Sequence, residues 1–446
     1  MRGVRPWLVV LAGGAAALGG LAAGGCSPSD VASAINTLTQ DCSVLGETRF
    51  VRDTLQDIYL WYQQLPNPDP ASFTSPEAYL DAVRYKPLDR NFTFILPRTT
   101  SDQLFNDDQY VGLGFPLQVV SSTEARVVEV YPGSPADEAG LGRGAYLLQV
   151  NGRAMADLIA TGDINTIFGP SQAGVVVHVV FRDMAGAEHD VQMTKRLVNI
   201  PNVYLTRTFA AGGRVVGYFA FHDFVNPSSA LLDTAFASLQ AAGTNDLVID
   251  LRYNGGGLIS VAQHLAGLIA GARTQSKVFV TLVFNDKHQS MNQTYTLPNP
   301  PQALGLDRLV VITTGGSASA SELIINGLRP YMPVTVVGST THGKPVGQLT
   351  YNFCDKVLYA VAFKSTNAQG QGDYFDGIPP DCAAPDDLDH QLGDGAEASL
   401  GAALQYVRTG GCSASAAAQA RAQAERRPAV GRAILEGSGW PVLLPR

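Results

Sequence analysis

Apolar positions recur first at helical spacing, then in short β-rich runs between Gly and Pro turns, then in unbroken runs. Each change of period marks a change of architecture. In "TRFVRDTLQDIYLWYQQL", Phe50, Val51, Leu55, Ile58, Tyr59 and Trp61 fall at roughly helical intervals. "SPEAYLDAVR" opens with Ser75, Pro76 and Glu77, a helix start. Residues 46–106 are therefore expected to be mainly helical. Over 107–196 short β-rich runs alternate with Gly and Pro turns: a strand at Val127–Tyr131, a short helix at Ala136–Ala139 stopped by Gly140, a strand at Leu147–Val150, and a hairpin turn at Asn151-Gly152. From 197 to 410 strands and helices alternate. "RVVGYFAF", "DLVIDL", "KVFVTLVF", "LVVITT", "VTVVG" and "LYAVAFKST" read as strands, and "SALLDTAFASLQAAG", "AQHLAGLIAG" and "SELIINGL" as helices. "DLVIDL" is a continuous apolar run of the buried parallel type, so this region is an α/β domain. The tail, 411–446, holds an Ala-, Gln- and Arg-rich stretch expected to form a loose helix.

The first residues stand apart. Arg2 and Arg5 precede an apolar run from Trp7 to Ala23 that closes on small residues and Cys26, the form of a secretory signal over 1–25. Gly13, Gly14, Gly19 and Gly20 break the run and argue against a permanent span. "LAAGGC" resembles a bacterial lipobox with Ala23 where Leu is usual. Two outcomes follow: lipidation of Cys26, with 26–45 as a tether, or ordinary signal cleavage. Ser27 after a lipidated Cys26 favours outer-membrane sorting in a Gram-negative cell. The expected location is the periplasm or cell envelope. Net charge is −8, and removing Arg2 and Arg5 leaves −10, with no basic block, so nothing favours nucleic acid.

Apart from Cys26, four cysteines remain: Cys42, Cys354, Cys382 and Cys412. An even number in an exported chain points to disulfides. Of the three possible pairings the favoured one is Cys354–Cys382, closing a local loop, with Cys42–Cys412 tying the ends. Four free buried thiols are the alternative. No Cys-x-x-Cys or His cluster suggests a metal, and no cofactor is expected.

Three strand ends carry candidate chemistry. In "VVITTGGSASASELIINGL" a buried strand ends at Thr314, Gly315 and Gly316 turn, and a helix begins near Ser319. Free N–H groups there would stabilise an oxyanion formed by a serine nucleophile. Ser319 to Glu322 is equally a Ser-x-x-Glu capping box. A serine nucleophile needs a base. His222, His342 and Lys344 lie near the segments of interest, and a Lys can serve when burial lowers its pKa. "VVGSTTHGKPVGQ", around Lys344, imitates a phosphate-binding loop, but Pro345 stands where that loop needs a Ser or Thr for Mg²⁺. "VIDLRYNGGG" runs a strand into Asn254, Gly255, Gly256 and Gly257, either an oxyanion donor beside the N–H of Ala320 or simply a tight turn.

Two resemblances follow. "YVGLGF", with "GSPADEAGL" and "VNG" behind it, resembles a PDZ domain. This implies that Gly112, Leu113, Gly114 and Phe115 receive a peptide's terminal carboxylate while the peptide adds to an open sheet edge. Ala145 departs from the common Asp. "DLRYNGGG", "GGSASASEL", "THGKPVGQ" and "DYFDGIPPD", in that order, resemble the carboxyl-terminal processing (tail-specific) serine proteases, from about Arg49 to Arg408. That family implies a crotonase/ClpP-like α/β protease core behind an N-terminal helical segment and a PDZ domain. It further implies Ser319 as nucleophile, Lys344 as base, Gln348 as its assistant, and Gly256 or Gly257 in the oxyanion hole. Expected partners are protein or peptide substrates with free C-termini, and a membrane through an N-terminal lipid anchor. Pro345 and His342 depart from the family pattern, and His342 is read as packing. The competing function is a non-catalytic peptide binder on the same scaffold.

Overall fold

The structure is a computed structural model, which describes residues 41–105, 109–424 and 433–435. The signal segment, Cys26 and most of the tether lie outside the described residues. Helix α1 (Val44–Ile58) begins at Ser43, whose hydroxyl accepts the Gly46 N–H at 3.1 Å, and buries Val51, Leu55 and Ile58. It starts inside the stretch expected to be tether. It ends before Tyr59 and Trp61, because Tyr59 turns extended at ψ 133. Ser75 caps α2 (Pro76–Val83). The segment is mainly helical as expected, with one exception: β1 (Phe94–Pro97) is a strand ahead of α3 (Arg98–Phe105).

The β-rich region holds β2 (Gln109–Gly112), β3 (Pro116–Val119), β4 (Ala125–Val127), α4 (Pro135–Glu138), β5 (Tyr146–Val150), β6 (Arg153–Ala154), α5 (Met155–Thr161), β7 (Val176–Arg182), β8 (Glu188–Thr194) and β9 (Arg196–Asn199). Phe115, Leu117, Val127, Val150, Leu158, Val177 and Phe181 meet in its own core. The strand expected at Val127–Tyr131 stops at Val127. Beyond it the chain follows the glycine loop instead, with Val128 N–H on the Pro116 carbonyl and Tyr131 N–H on the Gly114 carbonyl.

The α/β region runs β10 (Val203–Ala211), β11 (Arg214–Phe221), α6 (Ser228–Ala241), β12 (Asp246–Asp250), α7 (Ile259–Ala270), β13 (Val278–Phe284), β14 (Gln293–Thr296), β15 (Leu309–Thr313), α8 (Ala320–Leu328), β16 (Val334–Gly338), β17 (Val346–Phe353), β18 (Lys356–Thr366), β19 (Cys382–Ala383) and α9 (Ala398–Thr409). One sheet is ordered β10-β11-β12-β15-β16-β19 and is parallel from β11 onward. Every residue of β12, β15 and β16 is buried, which is why these strands read as unbroken apolar runs. A second sheet is ordered β1-β18-β13-β14, with β17 on β18, so the N-terminal region donates a strand to the core. Helix α10 (Ala414–Ala424) follows, and β20 (Ala433–Leu435) pairs antiparallel with β3. The β3 edge, expected to be open for a peptide, is thus covered by the chain itself.

The four cysteines are bonded, but not in the favoured pairing. Cys42 joins Cys354, with Cα atoms 5.8 Å apart, and Cys382 joins Cys412 at 5.4 Å. Cys354 sits between β17 and β18 in one sheet, facing the start of α1, while Cys382 lies on β19 in the other sheet. The two sheets separate the cysteines that sequence proximity suggested.

Candidate active site

The site forms where three connections leave the carboxyl ends of β12, β15 and β16. Side by side in one parallel sheet, these strands deliver their following turns to one edge. After β15 the chain reaches Ser319, which takes φ 55 and ψ −113, a backbone state costly for any residue but glycine. Helix α8 begins at the next residue, so Ser319 is presented at its N-terminus. Ser317 holds the turn from below through its hydroxyl on the Leu251 carbonyl at 2.6 Å.

The glycine turn after β12 packs directly against Ser319. A Cβ on Gly256 would lie 2.6 Å from the Ser319 Cβ and 2.9 Å from the Ala320 nitrogen, so only glycine fits. Asn254 organises the turn. Its carbonyl accepts from Ala318 N–H at 3.1 Å and from the Ser321 hydroxyl at 3.0 Å, and its side chain binds the Phe221 carbonyl and the Gly256 N–H. The Gly256 N–H is thereby committed at 2.8 Å, which separates the two glycines left open by the sequence. Gly257, at φ 134, packs against the Phe224 backbone, and its N–H has no hydrogen-bond partner among the described residues; nor has that of Ala320.

After β16 the chain turns at Gly343, where a Cβ would strike the Phe375 carbonyl at 2.3 Å. "DYFDGIPPD" therefore packs on this turn. Lys344 follows and is buried. Its Nζ donates to Gln348 Oε1 at 3.0 Å and enters no salt bridge among the described residues. Burial pushes the ammonium down to about 8, against weaker opposing pulls from Asp89 and Glu322. Pro345 stands just before β17, where no ladder N–H is required, and its carbonyl accepts from Ser365. A proline there also disfavours a helical backbone at Lys344.

One residue unites the two turns. The buried Glu322 carboxylate accepts from Ser319 N–H at 2.9 Å, Lys344 N–H at 2.8 Å, Gly343 N–H at 2.7 Å and the Thr341 hydroxyl at 2.6 Å. The first two bonds share Oε2, so a single oxygen fixes the backbones of Ser319 and Lys344 beside each other. Its pKa is raised by burial, with these four bonds opposing. The capping-box signal marked Glu322, but only as a helix cap.

The other base candidates are removed by their surroundings. His222 bonds Glu129 Oε2 at 2.7 Å and the Pro201 carbonyl at 2.6 Å, bridging the α/β and β-rich regions. Burial alone would lower its pKa, but Glu129 carries it up to about 9, so it is an imidazolium at neutral pH. His342 packs edge-on against Phe92, and neither ring nitrogen has a hydrogen-bond partner among the described residues. Burial and the nearby Lys344 push it down to about 4, so it stays neutral. In the glycine loop, Leu113 and Phe115 are buried and Gly114 takes φ 98 against Ser134. The Leu113 and Gly114 carbonyls are tied to Ala136 and Tyr131. Among the described residues there is no metal-ligating cluster and no helix long and apolar enough to cross a membrane.

Comparison with known proteins agrees with this layout. The profile of peptidase family S41 matches residues 215–384, that of the peptidase S41 N-terminal domain 46–94, and that of a PDZ domain 126–164. A CtpA-like serine protease of Staphylococcus aureus is 27% identical over 274 residues, covering 61% of this chain and 52% of the relative. One of Staphylococcus saprophyticus is 24% identical over 313 residues, covering 69% and 60%. The chain thus spans about half the length of the first of these relatives. A crystal structure described as an S41 protease of Bacteroides fragilis superposes with a TM-score of 0.64 at 26% identity, covering 80% of this chain and 96% of that one.

Proposed function

We propose that this chain, which matches the models of peptidase family S41 and of its N-terminal domain, is an endopeptidase working through a Ser319–Lys344 dyad. The observation that carries the reading is the shared Glu322 carboxylate, which sets a strained serine beside a buried lysine bound to a neutral amide. Ser319 Oγ attacks the peptide carbonyl carbon while neutral Lys344 takes its proton. The N–H groups of Ala320 and Gly257 hold the oxyanion. The C–N bond then breaks, Lys344 returns the proton to the leaving amine, and water hydrolyses the acyl-enzyme by the same route in reverse. Gln348 orients the Lys344 amine.

Trapping experiments test this. Mass spectrometry of rapidly quenched enzyme is expected to show acyl mass on the peptide holding Ser319. Turnover with no such adduct, together with turnover by Lys344→Ala, overturns the dyad. The same reading makes the protein an exported hydrolase, held at a membrane through Cys26 and selecting protein C-termini at the Gly112–Phe115 loop, where a bound tail would displace β20 from the β3 edge. Globomycin-sensitive processing in cells tests the anchor. Blocking a substrate's C-terminal carboxylate as an amide tests the selection, with a large rise in KM expected. Unchanged values would remove each feature separately. Acyl trapping also decides against a non-catalytic peptide binder.

A further inference from the structure

Part of the wall around Lys344 comes from the far end of the chain. Phe92 lies in the connection between α2 and β1 and is fully buried. Its ring centroid is 5.7 Å from Lys344 Nζ, and the same ring meets His342 edge-on at 5.8 Å. Its carbonyl accepts from Gln348 Nε2 at 2.5 Å, while the oxygen of that same amide receives the Lys344 ammonium. One residue thus covers the amine, packs the neighbouring ring and fixes the amine's hydrogen-bond partner.

Phe92 is itself held firmly. Asp89 Oδ1 accepts the Phe92 N–H at 2.7 Å and the Thr93 N–H at 3.0 Å, and Asp89 Oδ2 accepts the Tyr59 hydroxyl at 2.8 Å. Asn91 turns the chain at φ 69. Arg90 donates to the Phe375 carbonyl and to Asp376, clamping the turn onto "DYFDGIPPD". Strand β1 then anchors the segment on β18.

We propose that the N-terminal region is a working part of the catalytic centre, in which Phe92 is the positioning residue that keeps water from Lys344 and so sets the pH range of activity. The proposal rests on Lys344 being the base. The charged and titratable groups facing Lys344 are Asp89 on the Phe92 turn, Glu322 on α8 and His342 on its own loop. Both carboxylates favour the ammonium and His342 is neutral, so apolar burial is what lowers the lysine. At 5.7 Å the ring face also attracts the cation. Its exclusion of water is taken as the larger of the two effects, and the direction of the Phe92→Ala shift decides between them.

Full-length enzyme carrying Phe92→Ala, Phe92→Leu or Phe92→Val tests this through kcat/KM from pH 6 to 10.5. A second readout is the pH midpoint for acetylation of Lys344 by acetic anhydride, followed by mass spectrometry. Phe92→Ala is expected to move both midpoints up by about one unit, so activity falls about tenfold at pH 7 and recovers near pH 10. Phe92→Leu keeps the apolar cover and is expected to stay near wild type. Phe92→Val is expected to shift in the same direction by less, and decides the matter if Phe92→Ala does not fold. An equal loss at every pH, or an unmoved acetylation midpoint, overturns the proposal. A wild-type profile without an alkaline rise, or turnover by Lys344→Ala, removes the dyad itself, while the acetylation midpoints still report on Phe92.

Discussion

Two buried cations lie beyond the carboxyl ends of strands in the same parallel sheet, β12 and β16, and their surroundings give them opposite characters. Arg252, past β12, is fully enclosed and donates to Asp250 at 2.7 Å, Glu397 at 2.8 Å and Asp386 at 3.2 Å. Desolvation is the largest influence on it, yet the carboxylates hold its pKa far above the ordinary value. Lys344, past β16, is also buried, but an amide is its hydrogen-bond partner, and its pKa falls to about 8. Burial is common to both, so the counter-charges decide. A compensated cation is a structural fastener; an uncompensated one is ready to lose its proton.

Substitution at the two cations can break this contrast. The largest effect is expected at Lys344 and Ser319, where replacement by Ala should lower kcat/KM by about 10³-fold or more with the fold retained. Circular dichroism alongside a peptide-cleavage assay checks both halves. Arg252→Met should do the reverse: it leaves Asp250 and Glu397 buried without their cation, at about 3–5 kcal/mol of stability, visible as a large fall in Tm. Lys344→Met should raise Tm at pH 7, because the folded state no longer holds a poorly solvated ammonium. If both Met variants move Tm in one direction, the contrast fails.

Titration sharpens it next. With neutral Lys344 as the proposed base, kcat/KM should climb about tenfold per pH unit below 8 and level off above it. Since the folded pKa lies below the unfolded one, the ammonium's stability cost is present in full below about pH 8. Stability should recover between there and the ordinary lysine value. Glu322→Gln should cost about 10-fold in activity, because its single acceptor oxygen cannot serve both the Oε2 bonds from Ser319 and Lys344 and the Oε1 bond from Gly343. The smallest effect is expected from Ser319→Gly, which relieves the φ 55 backbone and should stabilise the inactive protein by about 1 kcal/mol relative to Ser319→Ala.

What could be read beforehand follows a physical line. Ser319, Lys344 and the glycines stand in strand–turn–helix or strand–turn–strand segments, whose local sequence carries both the turn and the chemistry. Phe92 had no such signal for its role. The alternation of Phe92, Phe94 and Leu96 around Thr93 and Ile95 does mark a strand, within a stretch expected to be helical. Its placement against Lys344 depends on β1 pairing with β18, a contact across more than half the chain. Glu322 showed its capping spacing, but its bonds to Gly343 and Lys344 needed the fold. Which of Gly256 and Gly257 keeps an uncommitted N–H depends on where the Asn254 side chain points. The cysteine pairing followed sheet membership rather than distance along the chain.

The Cys42–Cys354 bond spans 312 residues and joins the base of α1 to the β17–β18 hairpin. A single backbone cut anywhere between them leaves two fragments that remain one molecule until a reductant is added. An oxidised molecule nicked there therefore migrates as intact protein on a non-reducing gel and separates into pieces on a reducing one.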